Sequence, residues 1–125
     1  MKRFCLLSVL GLLALGCDEG TRYAGMTFEP QSSPPIPVSI ESDRIEIPVG
    51  IAVKVKATPE STGDEYKENA LLSLRAEDDD LLAVYATEKE REFVFVGLRE
   101  GETCLEVRVN RTERECIEVE VLPAE

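Results

Sequence analysis

The sequence predicts an all-β sandwich, and three observations predict it. From Val38 onward apolar residues recur with a period of two, which places alternate side chains on opposite faces of a strand. Those apolar residues are mostly Val, Ile and Leu, and the β-branched ones favour strands. Polar stretches bearing Gly, Pro, Asp or Asn interrupt the alternation at short intervals. No segment has a convincing helical period, although residues 65–74 have room for one turn of helix.

The chain starts differently. Met1-Lys2-Arg3 is positively charged, and residues 4–15 carry no charge at all. A helix of that length reaches about 18 Å, well short of the ~30 Å hydrocarbon core of a membrane. The segment therefore has the form of a secretory signal rather than a span. It ends in Ala14-Leu15-Gly16-Cys17. This stretch resembles the lipobox of bacterial lipoproteins. The resemblance implies acylation of the Cys17 thiol, cleavage before Cys17, and acylation of the new amino terminus. Residues 1–16 are then the signal peptide. A single acyl chain holds a membrane only marginally, so two or more chains, palmitate among them, suit a stable anchor. The plainer reading is an ordinary secretory signal with an incidental cysteine.

Residues 17–37 read as the lipidated Cys and a flexible tether. They contain Gly20, Gly25, Ser32 and Ser33 with Pro30, Pro34, Pro35 and Pro37, and show no period. Such chain favours extended, solvated conformations. The alternative is that Tyr23, Met26 and Phe28 pack onto the domain that follows.

That domain is expected over residues 38–125. Val38 and Ile40 flank Ser39, and Ile45 and Ile47 flank Glu46. Ile51, Val53, Val55 and Ala57 share one face, with Ala52, Lys54 and Lys56 on the other. Leu72, Leu74 and Ala76 alternate with Ser73 and Arg75. Residues 81–86 and 93–96 are short apolar runs, and the facing of the first is ambiguous. Thr103, Leu105, Val107 and Val109 alternate with Cys104, Glu106 and Arg108, while Ile117, Val119 and Val121 alternate with Cys116, Glu118 and Glu120. Turn signals fall at residues 48–50, 58–69, 77–80, 87–91, 99–101 and 110–114. Seven or eight short strands at this spacing indicate a sandwich.

Over about residues 38–123 the pattern resembles the bacterial immunoglobulin-like domains of the group-two type. The matching stretches are Ile45-Glu46-Ile47-Pro48-Val49-Gly50, Pro59 at the start of a loop, Asp78 with Leu81 and Val84, and Gly101-Glu102-Thr103 leading into Leu105, Val107 and Val109. The resemblance implies an Ig-like Greek-key β-sandwich. The family commonly has an aromatic residue where this chain has Leu74, and a Cys pair is not one of its general features.

Composition narrows the function. Asp and Glu total 25 against 14 Lys and Arg, a net charge of -11, which opposes binding to nucleic acid or a polybasic grip on anionic lipid. There is no His, the usual general base and transition-metal ligand. No nucleophile–base pair presents itself, so no enzymatic activity and no cofactor are expected. Glu77-Asp78-Asp79-Asp80 offers hard oxygen ligands suited to calcium, but lacks the spacing of an EF-hand loop and reads better as a solvated turn between strands. Glu113, Glu115, Glu118 and Glu120 read as charges on the open face of an edge hairpin. Asn110-Arg111-Thr112 matches a glycosylation sequon by composition alone.

Cys104 and Cys116 are expected to form a disulfide. Cys5 leaves with the signal and Cys17 is acylated, so these two thiols are left in an oxidising compartment. Placing them face to face sets Leu105 opposite Glu115 and Val107 opposite Glu113, with residues 108–112 as a five-residue loop. A tighter turn separates the sulfurs unless a bulge restores the register. Two free thiols are the alternative.

The expected function is that of an envelope lipoprotein: membrane contact through lipid on Cys17, and a small domain offered to a protein partner or used structurally in the bacterial cell envelope. The alternative is a small-ligand or calcium-binding envelope protein using residues 77–80.

Overall fold

The computed structural model describes residues 23–34, 38–62 and 70–124. The signal segment, Cys17 and part of the expected tether lie outside the described residues.

The described chain forms nine strands in two sheets: β1 (Tyr23–Pro30), β2 (Ser39–Ile40), β3 (Arg44–Pro48), β4 (Ala52–Ser61), β5 (Leu72–Ala76), β6 (Leu82–Ala86), β7 (Glu92–Gly97), β8 (Gly101–Val109) and β9 (Thr112–Leu122). One sheet runs β1-β4-β7-β6 and the other β2-β3-β9-β8-β5. The predicted β-sandwich is therefore present, with no helix among the described residues. Ile45, Ile47, Val53, Val55, Phe95, Leu105, Val107, Val119 and Val121 line the space between the sheets and are all essentially inaccessible. These are the period-two apolar positions, and their burial is what fixes the facing of each strand.

One strand comes from the expected tether. Tyr23–Pro30 is not free chain but pairs antiparallel with β4. Met26 is 2 % exposed, and the Phe28 ring meets Phe95 edge-on at 6.0 Å between centroids. The alternative in which Tyr23, Met26 and Phe28 pack onto the domain is the one observed, so the folded unit begins before Val38. The same pairing corrects the end of β4. Pro59 was expected to open a loop, yet it lies inside the strand opposite Met26. A proline is tolerated there because the β4–β7 ladder has already ended at Lys56 and Glu92.

β3 pairs with β9 in parallel, Arg44 beside Glu118 and Pro48 beside Leu122. This places the second half of β9 inside its sheet and corrects the reading of Glu118 and Glu120 as edge charges, while Glu113 and Glu115 lie beyond the β3 ladder. Arg44 donates to three of the carboxylates around it: Glu46 at 3.0 Å, and Glu118 and Glu120 at 2.6 Å each. Its bonds to Glu118 and then Glu46 hold the guanidinium proton more firmly than usual, against a smaller desolvation effect. Tyr23 donates its hydroxyl to Glu115 at 2.7 Å, reaching from the first sheet to the second.

The two sheets also meet at Gly97. Gly50 donates its N–H to the Gly97 carbonyl at 2.8 Å, and Gly97 donates its own to Ile51 at 3.1 Å. A Cβ at Gly97 would lie 2.5 Å from the Pro48 carbonyl oxygen, so this crossing needs the missing side chain.

Candidate functional site

Cys104 and Cys116 are joined by a disulfide with a Cα–Cα distance of 5.3 Å. The register around them differs from the expected one. Leu105 faces Ile117 and Val107 faces Glu115, so Cys104 stands opposite Glu118 and Cys116 opposite Glu106. The bridge is thus diagonal. Its cause is local: the hairpin closes with the two residues Asn110 and Arg111, both at positive φ (54° and 69°), and a register shift follows Val107. Positive φ at both central positions is the geometry whose twist matches paired strands. Asn–Arg lacks the glycine that usually announces it. Asn110 is further held by accepting the Leu71 N–H on its Oδ1 at 3.0 Å. Both cysteines lie on the outer face of the five-stranded sheet, as their alternation with Leu105 and Ile117 requires.

The acidic turn, residues 77–80, organises chain. The Asp78 carboxylate accepts the Asp80 N–H at 3.0 Å, its carbonyl accepts from Leu81 at 3.1 Å, and its own N–H donates to Thr103 at 3.0 Å. Glu77 turns away, with its carboxylate 3.5 Å from Cys104 Sγ. Among the described residues, Glu77 with Cys104 and Cys116 forms the group of possible metal ligands within 4.8 Å of one another, and both sulfurs are committed to the disulfide. The four turn acids share no cradle of that kind.

A different feature stands out at the flank where the sheets end in β5 and β6. Among the described residues, neither strand has a partner on its far side. Between them runs an open groove of about 500 Å³, lined by Leu72, Leu74, Val84, Phe93 and the turn at residues 87–91. Residues 77–80 close one end by connecting the strands. Towards the other end, Arg91 reaches across to donate to the Ala70 carbonyl at 3.1 Å. Thr87 donates to Glu92 at 2.6 Å and steadies the turn above the groove.

The backbone facing this opening follows from the ladders. Leu98 donates to Leu81 and Thr87 donates to Glu92, which brackets the β6–β7 pairing. Antiparallel pairs exchange bonds at every second residue. Ala83 and Tyr85 therefore bond to β7, while Leu82, Val84 and Ala86 direct their N–H and C=O outward, the Leu82 N–H donating to the Asp78 carbonyl at 3.4 Å. By the same count, the bonds Asn110 to Leu71 and Glu77 to Cys104 leave Leu72, Leu74 and Ala76 facing out from β5. Sequence reasoning missed this flank because residues 81–86 are apolar on both faces.

The chain matches no established protein-family model and no curated protein sequence.

Proposed function

We propose that this chain is a bacterial envelope lipoprotein, anchored by lipid on Cys17, whose small immunoglobulin-like domain takes a protein partner at its open β5–β6 flank. The observation that carries the interaction is the groove itself: two strand edges with outward backbone groups, an apolar floor of Leu72, Leu74, Val84 and Phe93 beside a charged rim, and no closing strand among the described residues. Strand edges bind chain through main-chain hydrogen bonds, and pockets beside them select side chains. The anchor rests on the lipobox resemblance of Ala14-Leu15-Gly16-Cys17. The membrane in question is the inner or the outer one, with the domain in the periplasm or at the cell surface.

Two measurements test the proposal. Labelling with a palmitate analogue should mark the full chain, and Cys17→Ala should abolish the mark and leave unprocessed precursor. A photo-crosslinking amino acid at Glu88, on the groove rim, should yield a discrete adduct in intact cells, whereas one at Arg111, on the far hairpin tip, should not. Release of processed, unlabelled Cys17→Ala protein would overturn the anchor. Equal adducts from both positions, or none from Glu88, would overturn the interaction.

A further inference from the structure

We infer that β6 is the docking strand of this flank, and that it takes an extended segment of a partner protein, apolar along its middle and basic at both ends. The inference rests on the interaction reading and adds the edge used and the chemistry of its occupant.

Exposed edges are commonly protected by bulges, prolines, charges or shortness. β1 has a register break between Tyr23 and Gly25, with Glu29 and Pro30 near its end. β2 is two residues long. β5 carries Arg75, whose side chain is 67 % exposed and paired to Glu106. β6 reads Leu82-Ala83-Val84-Tyr85-Ala86 and has none of these devices. An uncharged run of strand-forming residues without proline is the kind of edge that accepts another strand. Val84 and Ala86 each present a backbone N–H and C=O with no backbone partner among the described residues.

The surroundings define the occupant. Side chains of an added strand that point inward enter the groove beside Leu72, Leu74, Val84 and Phe93. Those that point outward lie beside Tyr85, which is 58 % exposed, with Val94 next to it on β7. Along its middle, both faces of the occupant therefore have apolar neighbours, while the charged residues of the groove lie at residues 88–92. The ends differ. Asp78, Asp79 and Asp80 stand before β6, and Glu88, Lys89 and Glu90 stand after it, followed by Arg91, which donates to the Ala70 carbonyl, and Glu92, which accepts from Thr87. Acid at both ends favours Lys or Arg at both ends of the occupant. It also opposes a second copy of this chain, because antiparallel pairing about Val84 would set Asp80 of each copy against Glu88 of the other, between molecules of net charge -11.

The test uses the full chain in detergent micelles and a fluorescein-labelled probe, Lys-Lys-Val-Val-Ala-Val-Val-Lys-Lys, followed by anisotropy. Saturable binding is expected, lost when the Lys ends are exchanged for Glu and lost when alternate probe amides are N-methylated. Ala86→Pro removes an outward N–H while sparing the bonds to β7, and should weaken binding about tenfold with an unchanged melting curve. If Ala86→Pro fails to fold, the N-methylated probe decides the matter on unaltered protein. Equal binding of the N-methylated probe overturns the strand mechanism, and equal binding of the Glu-ended probe overturns the basic occupant. Dimers seen by sedimentation, with no probe binding, would assign the edge to a second copy and overturn the partner proposed. Absence of probe binding alongside a discrete Glu88 adduct refutes the strand inference and leaves the interaction reading standing.

Discussion

Removing the Cys104–Cys116 bridge offers the sharpest measure of how this sandwich is held. Replacing both cysteines by Ser deletes a cross-link between residues 12 apart in sequence. In the chain-entropy model a closed loop of this size costs the unfolded state about 3 kcal/mol. The native state loses little in return. β9 lies between β3 and β8, so its ladders hold it on both sides. The hairpin turn at Asn110 and Arg111 sets the β8–β9 register independently of the sulfurs. The full effect should therefore appear as lost stability rather than altered structure. For a domain of this size that corresponds to a fall in melting temperature of roughly 10–20 °C. The assay is urea unfolding of the full chain in micelles, wild type against Cys104→Ser/Cys116→Ser, with reduced wild type as a third sample. The double variant and the reduced protein should agree, with the midpoint lowered by about 1–3 M urea at a typical slope. A loss below about 0.5 kcal/mol would refute the reasoning, since it would mean that the unfolded chain already keeps the hairpin closed.

Two further perturbations probe the packing. Gly97→Ala places a methyl 2.5 Å from the Pro48 carbonyl oxygen and 3.2 Å from Val121 Cγ1. Overpacking and the disturbed bonds from Gly50 and to Ile51 should together cost about 2–4 kcal/mol by thermal melting, and a loss under about 1 kcal/mol would show that the crossing yields easily. Phe95→Ala empties a fully buried site and removes the edge-on contact with Phe28, with an expected loss of about 3–5 kcal/mol in chemical unfolding. Retention of near-wild-type stability would mean that β1 does not depend on that ring.

The inward facing of the strands was legible because burial enforces the period. Val53, Val55 and Ala57 announce their face at once, and Leu105, Val107 and Val109 do the same. The disulfide partners followed from elimination. The rest depends on contacts that no local pattern carries. Tyr23–Pro30 has Gly25 and Pro30 and reads as tether; only pairing to β4 makes it a strand. The parallel β3–β9 ladder joins segments from opposite ends of the domain, so Glu118 and Glu120 looked like edge charges until Arg44 was seen beside them. The hairpin register turned on a two-residue Asn–Arg turn that spacing alone does not distinguish from a longer loop.

The ambiguity of residues 81–86 has a physical meaning of its own. A half-buried edge strand that served only stability would be polar on its outer side, and its facing would be plain from the sequence. Here Leu82 is fully buried, yet Tyr85 is largely exposed on the other face and no charge intervenes. Such a strand reads like the interior of a larger sheet. Among the described residues its neighbours supply one side of that interior, through β7. The missing side, the outward amides of Val84 and Ala86 and the acids at residues 78–80, 88 and 90 are one arrangement, and a strand of complementary charge added there would complete it. On this argument the local rule fails at β6 because the sequence there suits a sheet with one more strand than the described residues provide.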